Sequence, residues 1–511
     1  MRSLYARLDQ RFGTRIPAIE RQRDAQNRVD RLEERFETRV LFASPKPKKQ
    51  CRIIIIGAGF AGLMAGSVLS RFCRVTVFEA RDRLGGRVWT QVNAATHRAI
   101  EAGAELVGYN HPTWISLAKR FDLGFTVLTS DEAFTYLNLE TPLYLDGRLL
   151  SSKEAEHVYD EMKPIISNLC VQASKLADPY KPWGMPNADK LDSMNLSDWI
   201  QKQKCSPLAK NALEVQFANT NGVAARKQSY LANLAVIRGG ALDGKPDDYF
   251  TQSETMKCEQ GNDMLARKLA EDIEREGGAI IKSSPVADID VRDDRILATP
   301  AGGEPVEADY AVLAIPPSLW PSKAPSDIKI NPPICQDFHM SMGSAIKYLS
   351  ETKTRFWFAE GLSPNSVSET IGMTWEGTDN QLQIGGQPVE LSLFAGGRAA
   401  DAAIEMFERS GMQGLSAFYT REMDKLYPGY SRDRAESKFV CWPRDRWTRA
   451  GYSCPAPGEV TRIGPFLSRP FQGRLFFAGE HCCPPFFGYM EGALQSGLAA
   501  ASAILRNEGW I

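Results

Sequence analysis

Long apolar runs are missing from this 511-residue chain. No stretch reaches the ~18 residues a membrane helix needs, so no spanning segment is expected. Met1 opens no apolar signal-peptide core, which argues against secretion. An excess of one charge is missing too, because 61 basic and 62 acidic side chains leave a net of -1. Neither nucleic acid nor an anionic membrane is therefore an expected partner. The ten cysteines show no C-x-x-C or zinc-like spacing, which predicts reduced, buried thiols in a cytoplasmic protein. No nucleophilic triad, metal cluster, internal repeat or low-complexity tract emerges. What remains is an ordinary globular composition on a chain longer than one domain's usual size, so two intertwined domains are expected.

The most informative stretch begins at Cys51. Arg52 to Ile56 is a run of β-branched residues that predicts a strand buried in a parallel sheet. Gly57-Ala58-Gly59-Phe60-Ala61-Gly62 then forms a G-x-G-x-x-G turn into an apolar helix, Leu63 to Phe72. Gly57 permits the turn, Gly59 lets a pyrophosphate reach the backbone, and Gly62 lets helix and strand pack closely. The helix N-terminus offers free N–H groups for phosphates, with no acidic residue in its first turn to repel them. A second strand, Val75 to Phe78, ends in Glu79, placed to accept hydrogen bonds from a ribose diol. Arg81 and the turn Leu84-Gly85-Gly86-Arg87 add guanidinium groups suited to a pyrophosphate.

The run from Glu79 through Ala80 and Arg81 to Gly86, Arg87 and Val88 resembles the FAD fingerprint of the flavin amine oxidases, which include monoamine, polyamine and L-amino acid oxidases. A second block has the same resemblance. Arg474 to Glu480 reads as a strand ending in an acid, and Gly488-Tyr489-Met490-Glu491-Gly492-Ala493 opens a helix to Leu505. The resemblance covers residues 51–508. It implies FAD as cofactor, an α/β fold with a discontinuous, doubly wound FAD-binding domain, and an α+β substrate-binding domain with a helical cap. The expected FAD segments are 51–115, 256–335 and 440–511. The substrate segments are 116–255 and 336–439.

The resemblance also assigns residues. Gly103, Ala104, Glu105 and Leu106 would pass beside the flavin ring, with Val286, Glu480, Gly488 and Met490 also at the cofactor. The N-terminus of the last helix would face flavin N1 and O2, where reduction places negative charge. Lys347, after Met342-Gly343-Ser344-Ala345-Ile346, matches the family's lysine that holds a water at N5. Tyr452 and Tyr489 match the two rings flanking the substrate nitrogen. Monoamine oxidases carry a covalently attached cysteine before the first of these tyrosines. Here that residue is Gly451, so FAD is expected to be non-covalent.

Substrate class is less marked. L-amino acid oxidases usually place an arginine for the carboxylate where this chain has Leu106. Arg226, Arg238, Arg446 or Arg449 could replace it. The soluble, non-covalent format and the absence of an acidic ring for polyamines favour L-amino acids, with oxygen as second substrate and peroxide as product. Monoamine or polyamine oxidation and a family monooxygenase are the alternatives, and a flavin-bearing interaction protein is the reading from another class.

Elsewhere, residues 1–50 carry apolar side chains from Ile16 to Val40 at spacings of three and four, an amphipathic helix. It is expected to dock on the chain's own body, or to join copies in a homo-oligomer. Thr141 to Leu150 predicts a hairpin around Asp146-Gly147. Ser152 to Arg238 reads as mostly helical. Strands are expected at Met256 to Gln260, Ala279 to Ile281, Val286 to Val291, Arg295 to Thr299 and Ala308 to Ile315, with a helix at Leu265 to Glu276. Adjacent Cys482 and Cys483 suit packing or a redox role near the flavin.

Overall fold

The computed structural model describes residues 3–13, 51–92, 98–241, 247–320, 328–334, 338–381 and 388–511. Its organising strand is Arg52–Ile56, which pairs in parallel with Arg74–Phe78 on one side and Tyr310–Leu313 on the other. Leu475–Phe477 and Ala279–Ile281 complete a five-stranded sheet in which every pairing is parallel. Alternation along the isoleucines feeds both faces. Ile53 and Ile55 pack with the helices Phe60–Leu69, Asp263–Arg275 and Met490–Asn507, whereas Ile54 and Ile56 pack with a four-stranded sheet and the helix Glu459–Leu467. A strand covered on both faces must be apolar at every position, which explains the unbroken run.

Small residues set how closely the layers approach. A Cβ at Gly62 would collide with the carbonyl oxygen of Gly57, and one at Gly497 with that of Ala61. Gly62 therefore works in helix–strand packing, the role its motif position predicts, and the last helix seats directly on the first.

The second half is built on a seven-stranded sheet, in the order Arg434–Cys441, Ala345–Thr352, Val389–Gly396, Gly372–Glu376, Ser366–Ser368, Leu143–Leu145, Arg148–Leu149. One face carries the long helix Gly397–Leu426, kinked at Gly411. The opposite face meets a helical layer that includes Ser152–Ser174, Pro207–Asn221 and Tyr230–Gly240. Ser151 and Glu154 close a capping box at the start of the longest cap helix, satisfying N–H groups that the first turn cannot.

The expected hairpin forms, with Asp146 and Gly147 both at positive φ. Met256–Cys258 is a strand, yet it pairs with Phe125–Val127 in a separate ribbon. The expected strand from Ala308 to Ile315 is shorter, Tyr310–Leu313, because Val306–Ala308 belongs to the four-stranded sheet. The boundary expected at residue 440 falls inside the strand Arg434–Cys441. The amphipathic segment from Ile16 to Val40 lies outside the described residues. A helix at Leu4–Phe12, which the sequence pattern had not suggested, packs against the cap. Its Arg7 is buried and donates to the carbonyls of Ser366 (3.1 Å) and Thr374 (3.0 Å), and Tyr5 N–H donates to Gln216. Among the described residues no helix is long and apolar enough to cross a membrane.

Candidate active site and cofactor cavity

The main cavity runs from the glycine turn at the end of Arg52–Ile56 to the face of the seven-stranded sheet. It is bordered by Gly57, Gly59, Ala61, Glu79, Ala80, Arg81, Gly86, Arg87, Gly103, Ala104, Glu105, Leu106, Val286, Lys347, Tyr452, Glu480, Gly488, Tyr489 and Met490. Of the residues expected at the cofactor, Gly62 stands back from it, for the packing reason given above. The fold thus gathers residues from six separate stretches, 57–87, 103–106, 286, 347, 452 and 480–490, around one cavity.

The turn end is shaped for a dinucleotide. A Cβ at Gly59 would meet nothing within 4 Å, so it would occupy the space a pyrophosphate needs. Gly59 also precedes the helix Phe60–Leu69, which has neither a side-chain cap nor an acid in its first turn. Its first N–H groups therefore face an anion site. Glu79 receives the N–H of Ala58 (2.7 Å) and of Arg81 (2.8 Å), which fixes the turn and holds the acid at the strand end. Arg81 pairs with Asp445, and Arg87 with Glu480 at 2.8 Å.

Glu480 is a structural knot. It accepts from Arg87, from the N–H of Ser453 (3.1 Å) and from the N–H of Gly488 (2.8 Å). Burial alone would raise its carboxyl, but Arg87 and these donors hold it below the usual range. Beside it the sequence reading missed His481. Both of its ring nitrogens are buried without a partner at the cavity wall, and burial pushes its pKa down to about 4. An orphaned imidazole at this point is what a polar cofactor would satisfy. With Gly59 and the uncapped helix, it makes the residues present a good fit for FAD.

At the other end, Tyr452 donates from its hydroxyl to the carbonyl of Thr220 (2.9 Å), and its ring packs on Gly488. Tyr489 follows Gly488 at the N-cap position of Met490–Asn507, and its side chain makes no capping hydrogen bond there. Its ring lies edge-on to His111 at 5.3 Å, and its hydroxyl is 3.4 Å from that of Tyr249. Burial drives both phenols well above their ordinary pKa. They are therefore neutral rings, not bases, at neutral pH. Glu491 of the same motif turns away and accepts from the N–H groups of Thr113 (2.9 Å) and Trp114 (3.0 Å), capping another helix.

Lys347 borders the cavity but is not alone, since its Nζ donates to Glu105 at 2.6 Å. Trp375 and Lys257, neither suggested by motif, hold the far side of the same carboxylate. None of Arg226, Arg238, Arg446 and Arg449 borders the cavity. Arg238 donates to the carbonyl of Leu176 and Arg446 lies over Trp447. The nine described cysteines are unbridged, and burial raises the thiols of Cys482 and Cys483 well above their normal value. That makes them poor nucleophiles.

Residues 60–505 match the family model described as flavin containing amine oxidoreductase. The chain is 25% identical over 480 residues to an L-amino acid dehydrogenase of Synechocystis sp., covering 90% of this chain and 96% of that one. It is also 25% identical to the flavin-containing amine oxidase of Danio rerio, over 89% of this chain and 85% of the relative. Among solved structures, putrescine oxidase bound to putrescine superposes with a TM-score of 0.77 at 22% identity, over 90% of this chain and all of the other. Cyclohexylamine oxidase from Brevibacterium oxydans IH-35A gives 0.75 at 22% identity, with the same coverage. Those two likenesses speak for the fold, and the family match speaks for the chemistry: the chain belongs to the flavin-containing amine oxidoreductases.

Proposed function

We propose that this flavin amine oxidase acts on amines that lack an α-carboxylate, with non-covalent FAD and with oxygen as acceptor, releasing peroxide. One observation carries the choice of substrate. Among the described residues, the arginine and lysine side chains bordering the cavity, Arg81, Arg87 and Lys347, are each already paired with a carboxylate. A substrate carboxylate would have to compete with a protein carboxylate for its cation, at the cost of a buried unpaired charge. Glu254 adds negative charge near the tyrosines, since it contributes to raising Tyr249, Tyr452 and Tyr489. This outweighs the sequence-based leaning towards L-amino acids.

FAD, when bound, supplies the hydride acceptor. The chain's residues do the rest. Tyr452 and Tyr489 present neutral aromatic faces that orient an amine nitrogen and exclude water. Because both phenols keep their protons, they take none from an ammonium, and the amine must bind in its neutral form. The substrate loses two electrons and two protons to become an imine, which water hydrolyses to an aldehyde or ketone and ammonia. Arg87, Glu480 and the uncapped helix ends fix the cofactor end.

The test is peroxide release from matched sets: L-amino acids, their D-enantiomers, and the amines with the same side chains. Activity on the amines supports the reading. Activity confined to the L-acids overturns it, and reduction of a dye acceptor without peroxide overturns the oxygen assignment.

A further inference from the structure

Lys347 sits on the strand Ala345–Thr352 at 5% exposure. An ammonium so removed from water sheds its proton unless a counter-charge holds it. Here two of its three N–H groups are used, one on Glu105 Oε2 at 2.6 Å and one on the carbonyl of Glu101 at 2.7 Å. Glu105 is clamped in turn. Trp375 Nε1 donates to its other oxygen at 2.9 Å, and Lys257 lies 3.9 Å from that oxygen while bonded to the carbonyl of Gly377. The Trp375 ring is also 5.5 Å from Lys347 Nζ. Two more buried carboxyls face this pair. Glu101 accepts from Thr90 and from the N–H of Asn262, and Glu390 accepts from Ser392. Among the described residues Lys347 has no third hydrogen-bond partner, and it borders the cavity.

We infer that Glu105 is a positioning residue: it keeps Lys347 as an ammonium and turns its remaining N–H into the cofactor cavity. Glu105 borders the cavity too, but its two oxygens are taken by Lys347 and Trp375, so it acts through the lysine. Burial by itself would raise its carboxyl, but Lys347 and Lys257 outweigh that and hold it below the ordinary range. The pair is thus a carboxylate and an ammonium at neutral pH, with the positive member on the cavity wall. A fixed cation there stabilises any negative charge that develops beside it, and needs no reorganisation to do so. The inference rests on the FAD assignment and is independent of which amine is used.

The experiment uses the holoenzyme with 13C- and 15N-labelled lysine, the Lys347 signal being the one lost in Lys347→Met. In the wild type the signal is that of an ammonium at pH 7. In Glu105→Gln its midpoint falls by about 2 units or more, since burial then acts without its counter-charge. Glu105→Asp restores the wild-type midpoint. Trp375→Phe, which removes only the clamp, shifts it the same way by less and keeps the test open should Glu105→Gln fold poorly. The flavin midpoint potential is the second readout. It moves to more negative values in Glu105→Gln only above the new lysine midpoint, and Glu105→Gln adds nothing in a Lys347→Met background. Burial brings Glu101 and Glu390 up to about 7, so the potentials are repeated with both changed to Gln. An unchanged lysine midpoint in Glu105→Gln overturns the inference, and so does a potential shift that persists without Lys347. Reduction by dithionite needs no amine, which keeps this result separate from the substrate assignment.

Discussion

Gly451 lies so close to Ala345 that a Cβ at position 451 would stand 2.5 Å from the Cβ of Ala345 and 3.0 Å from its nitrogen. The position before Tyr452 thus has no room for a side chain, let alone a cysteine tether to the flavin. Denatured wild-type protein should release all its FAD into the supernatant. Gly451→Cys should create no covalent flavin and should cost about 1–3 kcal/mol through overpacking, read as a lower melting temperature. Covalent FAD in that variant would show that the strand yields.

The Arg87–Glu480 pair predicts acid sensitivity. The folded pKa of Glu480 is depressed, so its contribution is present above the unfolded carboxyl value of about 4.3 and is lost as pH falls through the lower folded value. Glu480→Gln should therefore melt earlier at pH 7, by an amount in the range of about 3–5 kcal/mol for a broken buried pair. The difference from wild type should shrink below pH 4. FAD titration of the same variant should show weaker binding, because the N–H groups of Ser453 and Gly488 lose their charged acceptor.

His481 and His111 add to the same acid sensitivity. Burial lowers them to about 4 and about 3, below the unfolded value of about 6.5. The unfolded chain then binds more protons, and stability drops as pH falls from about 6.5 towards these values. Melting curves of the cofactor-free protein should show that drop, and His481→Leu should remove part of it. An unaltered slope would mean that the ring is already partnered.

Neutral cage phenols predict a simple rate profile. The rate constant for flavin reduction by an amine should rise with pH along the amine's own ionisation, and Tyr489→Phe should leave that profile in place. Stopped-flow reduction from pH 6 to 10 measures it. A second ionisation lost in Tyr489→Phe would make the phenol a base.

The helix Leu4–Phe12 should matter to stability. Arg7→Leu leaves two buried carbonyls without their donor, a cost of about 1–3 kcal/mol each. Thermal unfolding should register it even with FAD in excess.

Most of the cofactor end is legible in the sequence, because a dinucleotide turn is local: strand, glycines, helix and acid follow one another within thirty residues. The C-terminal Glu480 and Tyr489 are legible for the same reason. The clamp on Glu105 is not. Trp375 and Lys257 come from short strands that carry no motif, and only the folded chain brings their side chains to Glu105. The middle of the seven-stranded sheet carries little signal, since Ala345–Thr352, Val389–Gly396, Gly372–Glu376 and Ser366–Ser368 are buried nearly throughout and lack the alternation that marks a half-exposed strand. Substrate class is hard to read for a related reason: sequence lists arginines, but only folding shows which cations border the cavity and which of those are already paired.

The order of strands in the cofactor sheet also bears on how the protein is made. Tyr310–Leu313 separates the strand at Arg52–Ile56 from the one at Leu475–Phe477, and the final helix seats on Ala61. A ribosome therefore releases the front half of the nucleotide fold long before its other edge exists. The isoleucine strand must wait for some four hundred further residues before both layers that bury it are complete. Loading of the cofactor is thus an event that follows translation, and the unfinished sheet is a surface that chaperones would meet first.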